Sequence, residues 1–178
     1  MLDFVLVKED YRYYEKVKHL FEHAFPPIER PTFNMMMSFN NHEMYAVEKN
    51  NEFVGLYDLI KHEDKVYIFF LAVKKTYRGK GIGSHILKHI SNQYSESRLF
   101  LLAENPDIDC DNKEERSKRI SFYQKNGFVL SNISVIEFGV DYRILYKNIE
   151  VTKEDFLSCM EYFLGKDRFT SFYLPNVK

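Results

Sequence analysis

The sequence predicts a mixed α/β fold, a central and mostly antiparallel β-sheet with helices on both faces. Three observations point there. The run VYIFFLAV at residues 66–73 is apolar throughout, as expected of a strand buried on both faces at the centre of a sheet. Two alternating strands precede it, joined by tight turns that make the three antiparallel. Immediately after it, glycines at 79, 81 and 83 open an amphipathic helical pattern.

The elements follow in order. Residues 2–7, LDFVLV, read as a short strand, and Asp10 is positioned to cap a helix whose apolar face is Tyr14, Val17, Phe21 and Ala24, spaced by three to four. Pro26 and Pro27 stop that helix. Residues 28–39 suggest a second, less regular helix whose methionines at 35, 36 and 37 fill gaps in the core, or else line a flexible substrate wall. Strands are expected at 43–49 and 52–60, joined through Asn50 and Asn51, which tolerate positive φ. The turn HEDK at 62–65 leads into the central strand. A helix over about 82–94 places Ile82, Ile86, Leu87 and Ile90 on one face, and RLFLLAE at 98–104 is another buried strand. A charged loop leads to a helix through 116–126 that ends at Gly127, a natural left-handed residue. Two long antiparallel strands, 128–139 and 142–147, and a closing helix at 153–164 complete the chain. There is no internal repeat and no low-complexity linker, so residues 1–178 are expected to form one domain, with 45% hydrophobic residues to supply its core.

Composition excludes several function classes. A formal net charge of −1 offers no global field to attract a nucleic acid or an anionic membrane. The longest apolar run, eight residues at 66–73, is far short of the roughly 20 that cross a bilayer. Charges at Asp3, Lys8, Glu9 and Asp10 interrupt any signal-peptide core, so a cytoplasmic location is expected. Two cysteines, Cys110 and Cys159, make neither a disulfide framework nor a structural zinc site.

The glycine turn carries the functional signal. A dinucleotide fingerprint starting at Gly79 would need glycine where Ser84 stands, and a Walker A loop ending at Lys80 would need glycine where Lys74 stands. What remains is R-x-x-G-x-G from Arg78 to Gly83, between a buried strand and a helix. Glycine amides at such a turn approach a diphosphate closely, the helix N-terminus adds about half a positive charge, and Arg78 and Lys80 add formal charge. A plain strand-to-helix turn is the alternative, though one or two glycines would suffice for it.

With LAV at 71–73 before it and FYQKNGF at 122–128 after it, this pattern resembles the GNAT superfamily of N-acetyltransferases, over roughly residues 52–128. The resemblance implies a sheet splayed in the middle, between the strands ending at Val73 and Glu104, with acetyl-coenzyme A in the opening. It implies that Arg78, Gly79, Lys80, Gly81, Ile82, Gly83 and Ser84 bind the pyrophosphate, and that Leu71, Ala72 and Val73 offer backbone groups to the pantetheine arm and the acetyl carbonyl. The reaction would move acetyl directly to a primary amine of a small molecule or peptide, with no metal; a homodimer is compatible with it. A non-catalytic acyl-coenzyme A sensor on the same fold is the alternative.

Tyr123 matches the helix tyrosine of the family and is the candidate acid for the departing thiolate, its phenol staying neutral near pH 7; core packing beside Ile120 is the other reading. The central strand has no carboxylate or histidine to act as base, which leaves Glu104 as base or amine-orienting group, against a structural role at the loop after it, or else a water chain. Glu29, in the loop AFPPIERPTF, either attracts a cationic amine or pairs with Arg30 and surface lysines. Asp107, Asp109 and Asp111 begin like a calcium loop, but Asn112 and Lys118 stand where glycine and glutamate are needed. His85 and His89 lie one turn apart without a third ligand and read as a solvated helix face.

Overall fold

The computed structural model describes residues 1–108 and 110–178. Seven strands form one sheet: β1 (Leu2–Leu6), β2 (Glu43–Lys49), β3 (Glu52–His62), β4 (Lys65–Val73), β5 (Arg98–Glu104), β6 (Val129–Glu137) and β7 (Val140–Lys147). Their order is β1-β2-β3-β4-β5-β7-β6, which puts β4, with its apolar run at 66–73, in the middle. Asn50 and Asn51 both take positive φ, 52° and 62°, in the turn between β2 and β3.

The sheet parts between β4 and β5. β4 and β5 run parallel and pair only through Lys65–Arg98, Val66–Leu99 and Tyr67–Phe100. Just beyond, the β3–β4 register passes from Leu59–Ile68 to Asp58–Phe70, so Phe69 is an extra residue without a partner. Such a bulge bends its strand, and here it turns β4 away from β5.

Helices cover both faces. On one, α1 (Tyr14–Ala24), α2 (Phe33–Met37) and α5 (Lys153–Leu164) bury Val17, Phe21, Phe33, Met36, Phe156 and Met160 against Tyr67 and Phe70 of β4. On the other, α3 (Ile82–Gln93) and α4 (Lys113–Lys125) bury Ile82, Ile86, Ile90 and Ile120 against Val66 and Ile68 of β4 and Leu99 and Leu101 of β5. Each fully buried side chain of this size contributes about 1.5–3 kcal/mol, which is why the period-3.6 patterns settle as they do. Of the three methionines only Met36 is fully buried; Met35 is exposed.

Two expectations need correction. Asp10 does not cap α1, which begins at Tyr14 with Tyr13 as its N-cap and no side-chain cap. The reason is long-range: Tyr11 donates to Glu48 at 2.6 Å and Arg12 pairs with the same carboxylate, tying this segment to β2 as two successive turns. His89 is not on a solvated face either. Its ring stacks on Phe4 of β1 at 3.8 Å, and burial lowers its pKa. The helix patterning missed this because β1 is distant in sequence, Phe4 lying 85 residues before His89.

The final residues, to which the sequence assigned no element, form a π-turn at Phe169–Tyr173 and a 3₁₀ turn at Leu174–Asn176. Phe169 and Tyr173 are buried. Lys178 and Ile136 exchange backbone hydrogen bonds at 2.9 Å, so the tail covers the free edge of β6.

Candidate coenzyme and acceptor site

Where β4 leaves β5 its backbone is open on one edge. Lys74 N donates to Val54 O at 2.9 Å, so Ala72, two residues back, also turns its backbone groups toward β3. Ala72 O lies so close to Gly55 that a Cβ there would sit 2.7 Å from it. Leu71 and Val73, one residue out of phase, turn theirs toward the opening. Arg78 Nε donates to Val73 O at 3.1 Å and fastens the turn to the end of the strand.

The turn then presents a helix N-terminus. Gly79 and Gly81 have φ of 74° and 75°, a region that disfavours other residues, and a Cβ on either would meet nothing within 4 Å. Gly81 is the N-cap of α3, and the first helical bond runs from His85 N to Gly81 O at 3.0 Å. The amides of Ile82, Gly83 and Ser84 therefore have no partner within the helix and point out of its positive end. Lys80 Nζ lies over the Tyr77 ring at 5.1 Å and Lys74 Nζ at 5.8 Å. Next to the turn, a cavity of about 490 Å³ is lined by Gly81, Ser84 and Lys88 of the α3 side and by Lys125 and Lys147. Free amides, unhindered glycines and lysines suit a diphosphate and a further phosphate.

Gly83 differs from its neighbours. It is helical, with ordinary φ, and a Cβ there would lie 3.0 Å from Cζ of Phe122, so this glycine lets α3 and α4 approach. Gly83→Val is expected to destabilise the fold by about 1–3 kcal/mol through overpacking, which at this chain length lowers the melting temperature by several degrees. Thermal unfolding without ligand measures it.

Tyr123 lies on α4, half-buried, its ring 5.3 Å from Phe122 and 6.1 Å from Phe128. Burial raises its pKa, Arg119 opposing, and its hydroxyl has no hydrogen-bond partner among the described residues.

Glu104 closes β5 opposite Tyr142 of β7 and is buried. Both of its oxygens are held: Oε1 by Arg116 at 2.7 Å and Oε2 by Arg119 at 2.8 Å. Glu29, in the 3₁₀ turn Pro27–Glu29, is not paired with Arg30, whose guanidinium donates instead to the carbonyls of Phe25, Pro31 and Glu22. It faces Glu104, Arg119, Arg116 and the Tyr142 hydroxyl, and burial raises its pKa. A further carboxylate that sequence reasoning passed over, Glu137 at the end of β6, accepts a hydrogen bond from Tyr173. Nothing in its local pattern marks it; only the return of the tail brings a tyrosine to it. Asp109 of the calcium-like stretch lies outside the described residues, and among those residues no group of three or more His, Cys, Asp or Glu is arranged to hold a metal ion. No helix among them is long and apolar enough to cross a membrane.

A split sheet with an open strand edge running into an anion-ready helix N-terminus defines an acyl-coenzyme A acetyltransferase architecture. The sequence profile of the acetyltransferase (GNAT) domain matches residues 40–130, and the chain belongs to that family. Among solved structures, a protein from Bacteroides thetaiotaomicron described as a GNAT-family acetyltransferase superposes with a TM-score of 0.75 at 19% identity, covering 96% of this chain and 98% of that one. A GNAT-family acetyltransferase from Elizabethkingia anophelis with acetyl-CoA bound gives 0.59 at 16%, covering 83% and 98%. A spermidine N-acetyltransferase from Vibrio cholerae gives 0.60 at 17%, covering 82% and 92%. No curated protein sequence matches the chain.

Proposed function

We propose that residues 1–178 form one cytoplasmic catalytic domain that transfers acetyl from acetyl-coenzyme A to a primary amine of a small molecule or peptide. The observation that carries this reading is the continuous path from the free edge of β4 at Leu71 and Val73 to the unpartnered amides at the start of α3. Along that path Leu71 and Val73 hold the pantetheine arm, and the amides of Ile82, Gly83 and Ser84, with Lys80 and the positive-φ Gly79 and Gly81, hold the pyrophosphate. Arg78 acts by locking the turn, and Ala72, facing β3, by shaping the strand.

When bound, the coenzyme supplies a thioester carbonyl whose carbon is open to an amine and whose sulfur leaves as a thiolate. An amide on the open edge of β4 stabilises the developing oxyanion. Tyr123, kept protonated by its raised pKa, gives its proton to the sulfur and is reprotonated by solvent. Of the two roles open to Glu104 we favour orienting: with both oxygens on guanidiniums it fixes Arg116 and Arg119 at the rim of the opening.

Acetyl-coenzyme A at about 100 times its Kd is expected to stabilise the fold by about 2.7 kcal/mol, raising the melting temperature by several degrees. Gly81→Val should lose that shift, because a branched side chain at positive φ disrupts the turn and crowds the diphosphate. No shift for the unmodified chain at millimolar ligand would sink the coenzyme assignment. Thiol release over a panel of amines tests the transfer, and binding without release from any amine would replace an enzyme by a sensor.

A further inference from the structure

The reading above leaves the proton of the acceptor amine without a destination. We infer that Glu137 takes it, and that the amine arrives as a cation in a chamber that Glu137 shares with Glu29. This rests on the transferase reading and extends it to the acceptor side.

Strand register gathers the groups of this acceptor side on the face opposite α3. Tyr142 of β7 pairs with Glu104 of β5 on one side and with Val135 of β6 on the other. Val135 and Ile144 pack with the α1–α5 face, and alternation along each strand puts Glu137 and Tyr142 on that same face. Tyr67, also on that face, stands where β4 and β5 part, and burial raises its pKa, the charges of Glu137 and Tyr142 helping. Donor and acceptor approach the gap from opposite faces of the sheet.

The charges are unbalanced in a way that favours a cation. Arg116 and Arg119 carry two positive charges, balanced by Glu104, which binds both, and by Glu29 nearby, which leaves Glu137 as the uncompensated carboxylate of the three. Glu137 has no cationic partner among the described residues; the groups that face it are the Tyr173 hydroxyl, Glu29, Tyr67 and Tyr142. Tyr173, Tyr67 and Tyr142 are all raised above the usual phenol range by burial, so they stay neutral donors. Burial brings the Glu137 carboxyl up to about 7, the Tyr173 bond opposing and the charge of Glu29 adding to it. A carboxylate poised there accepts a proton from an ammonium and returns it to solvent near neutral pH. In the step, Glu137 takes one proton from the ammonium and passes it to solvent, and the neutral amine forms the new bond to the acetyl carbon. The C–S bond breaks with the thiolate taking its proton from Tyr123, and the second nitrogen proton leaves to the ionised Glu137 as the amide forms.

The experiment is kcat/KM against pH for the full chain with the best amine of the panel, with acetyl-coenzyme A thermal shifts on every variant. Activity should fall as pH drops through about 7, since the base must be ionised. Glu137→Gln should lose about 10²- to 10⁴-fold and the acidic limb with it. Glu29→Gln removes a like charge and should move the limb to lower pH, whereas Tyr173→Phe removes a stabilising donor and should move it to higher pH. Opposite displacements are not produced by a merely structural contact. A Glu137→Gln chain that keeps its coenzyme shift and turns over normally, or a limb that neither neighbour moves, would overturn the assignment alone. Absence of thiol release from any amine would overturn the transferase reading and the base together.

Discussion

Tyr123→Phe is expected to lower kcat by about 10²- to 10⁴-fold while leaving coenzyme affinity and melting temperature close to those of the unmodified chain. The reason is specific to where the hydroxyl sits. It has no hydrogen-bond partner among the described residues, so its removal leaves no buried group unsatisfied, and the ring keeps its packing with Phe122 and Phe128. The raised pKa also sets the alkaline side of the profile. An acid works while protonated, so activity should persist past the ordinary phenol value of 10.0 and decline only above it. Steady-state kinetics with coenzyme titration by calorimetry separates the outcomes. Unchanged turnover would remove Tyr123 from the mechanism and leave solvent to protonate the sulfur, and a fall in melting temperature would mean that the hydroxyl holds the fold.

Glu104→Gln should act mainly on stability. Removing one partner from a buried ion pair typically costs about 3–5 kcal/mol, because the charge left behind has lost its compensation. Arg119 is partly open to water, which places the expected loss near the lower end, about 3 kcal/mol, or roughly 6–12 °C in melting temperature for a chain of this length. Turnover per folded molecule should fall less than for Tyr123→Phe, and the acidic limb should persist. An intact fold that has lost that limb would instead make Glu104 the base.

Those two residues mark the boundary between local and distant information. Tyr123 was nameable from its helix because its position relative to Gly127 is local, as is the turn that ends α4 there, with Gly127 at φ 84°. Glu104 was nameable as a carboxylate at a strand end, but the α4 guanidiniums that hold it come from 12 and 15 residues later in the chain. Whether such a group is a free base or a locked ion pair depends on which face of α4 docks at the strand end, and no periodicity states that.

The same division runs through the whole chain. Every strand, the central place of β4, the asparagine turn and the glycine-led helix were legible, because alternation, apolar runs and left-handed turn residues act within a few positions. The start of α1, the stacking of His89 on Phe4 and the hydrogen bond of Tyr173 to Glu137 were not. Tyr11 meets Glu48 across 37 residues, and Tyr173 meets Glu137 across 36. Contacts at such range form only once the sheet has chosen its strand order and the tail has folded back along β6, and desolvation then gives a carboxylate an environment its neighbours in sequence do not supply. Elements and the glycine turn therefore came from local chemistry, whereas the charge states of Glu29 and Glu137 were decided by tertiary burial.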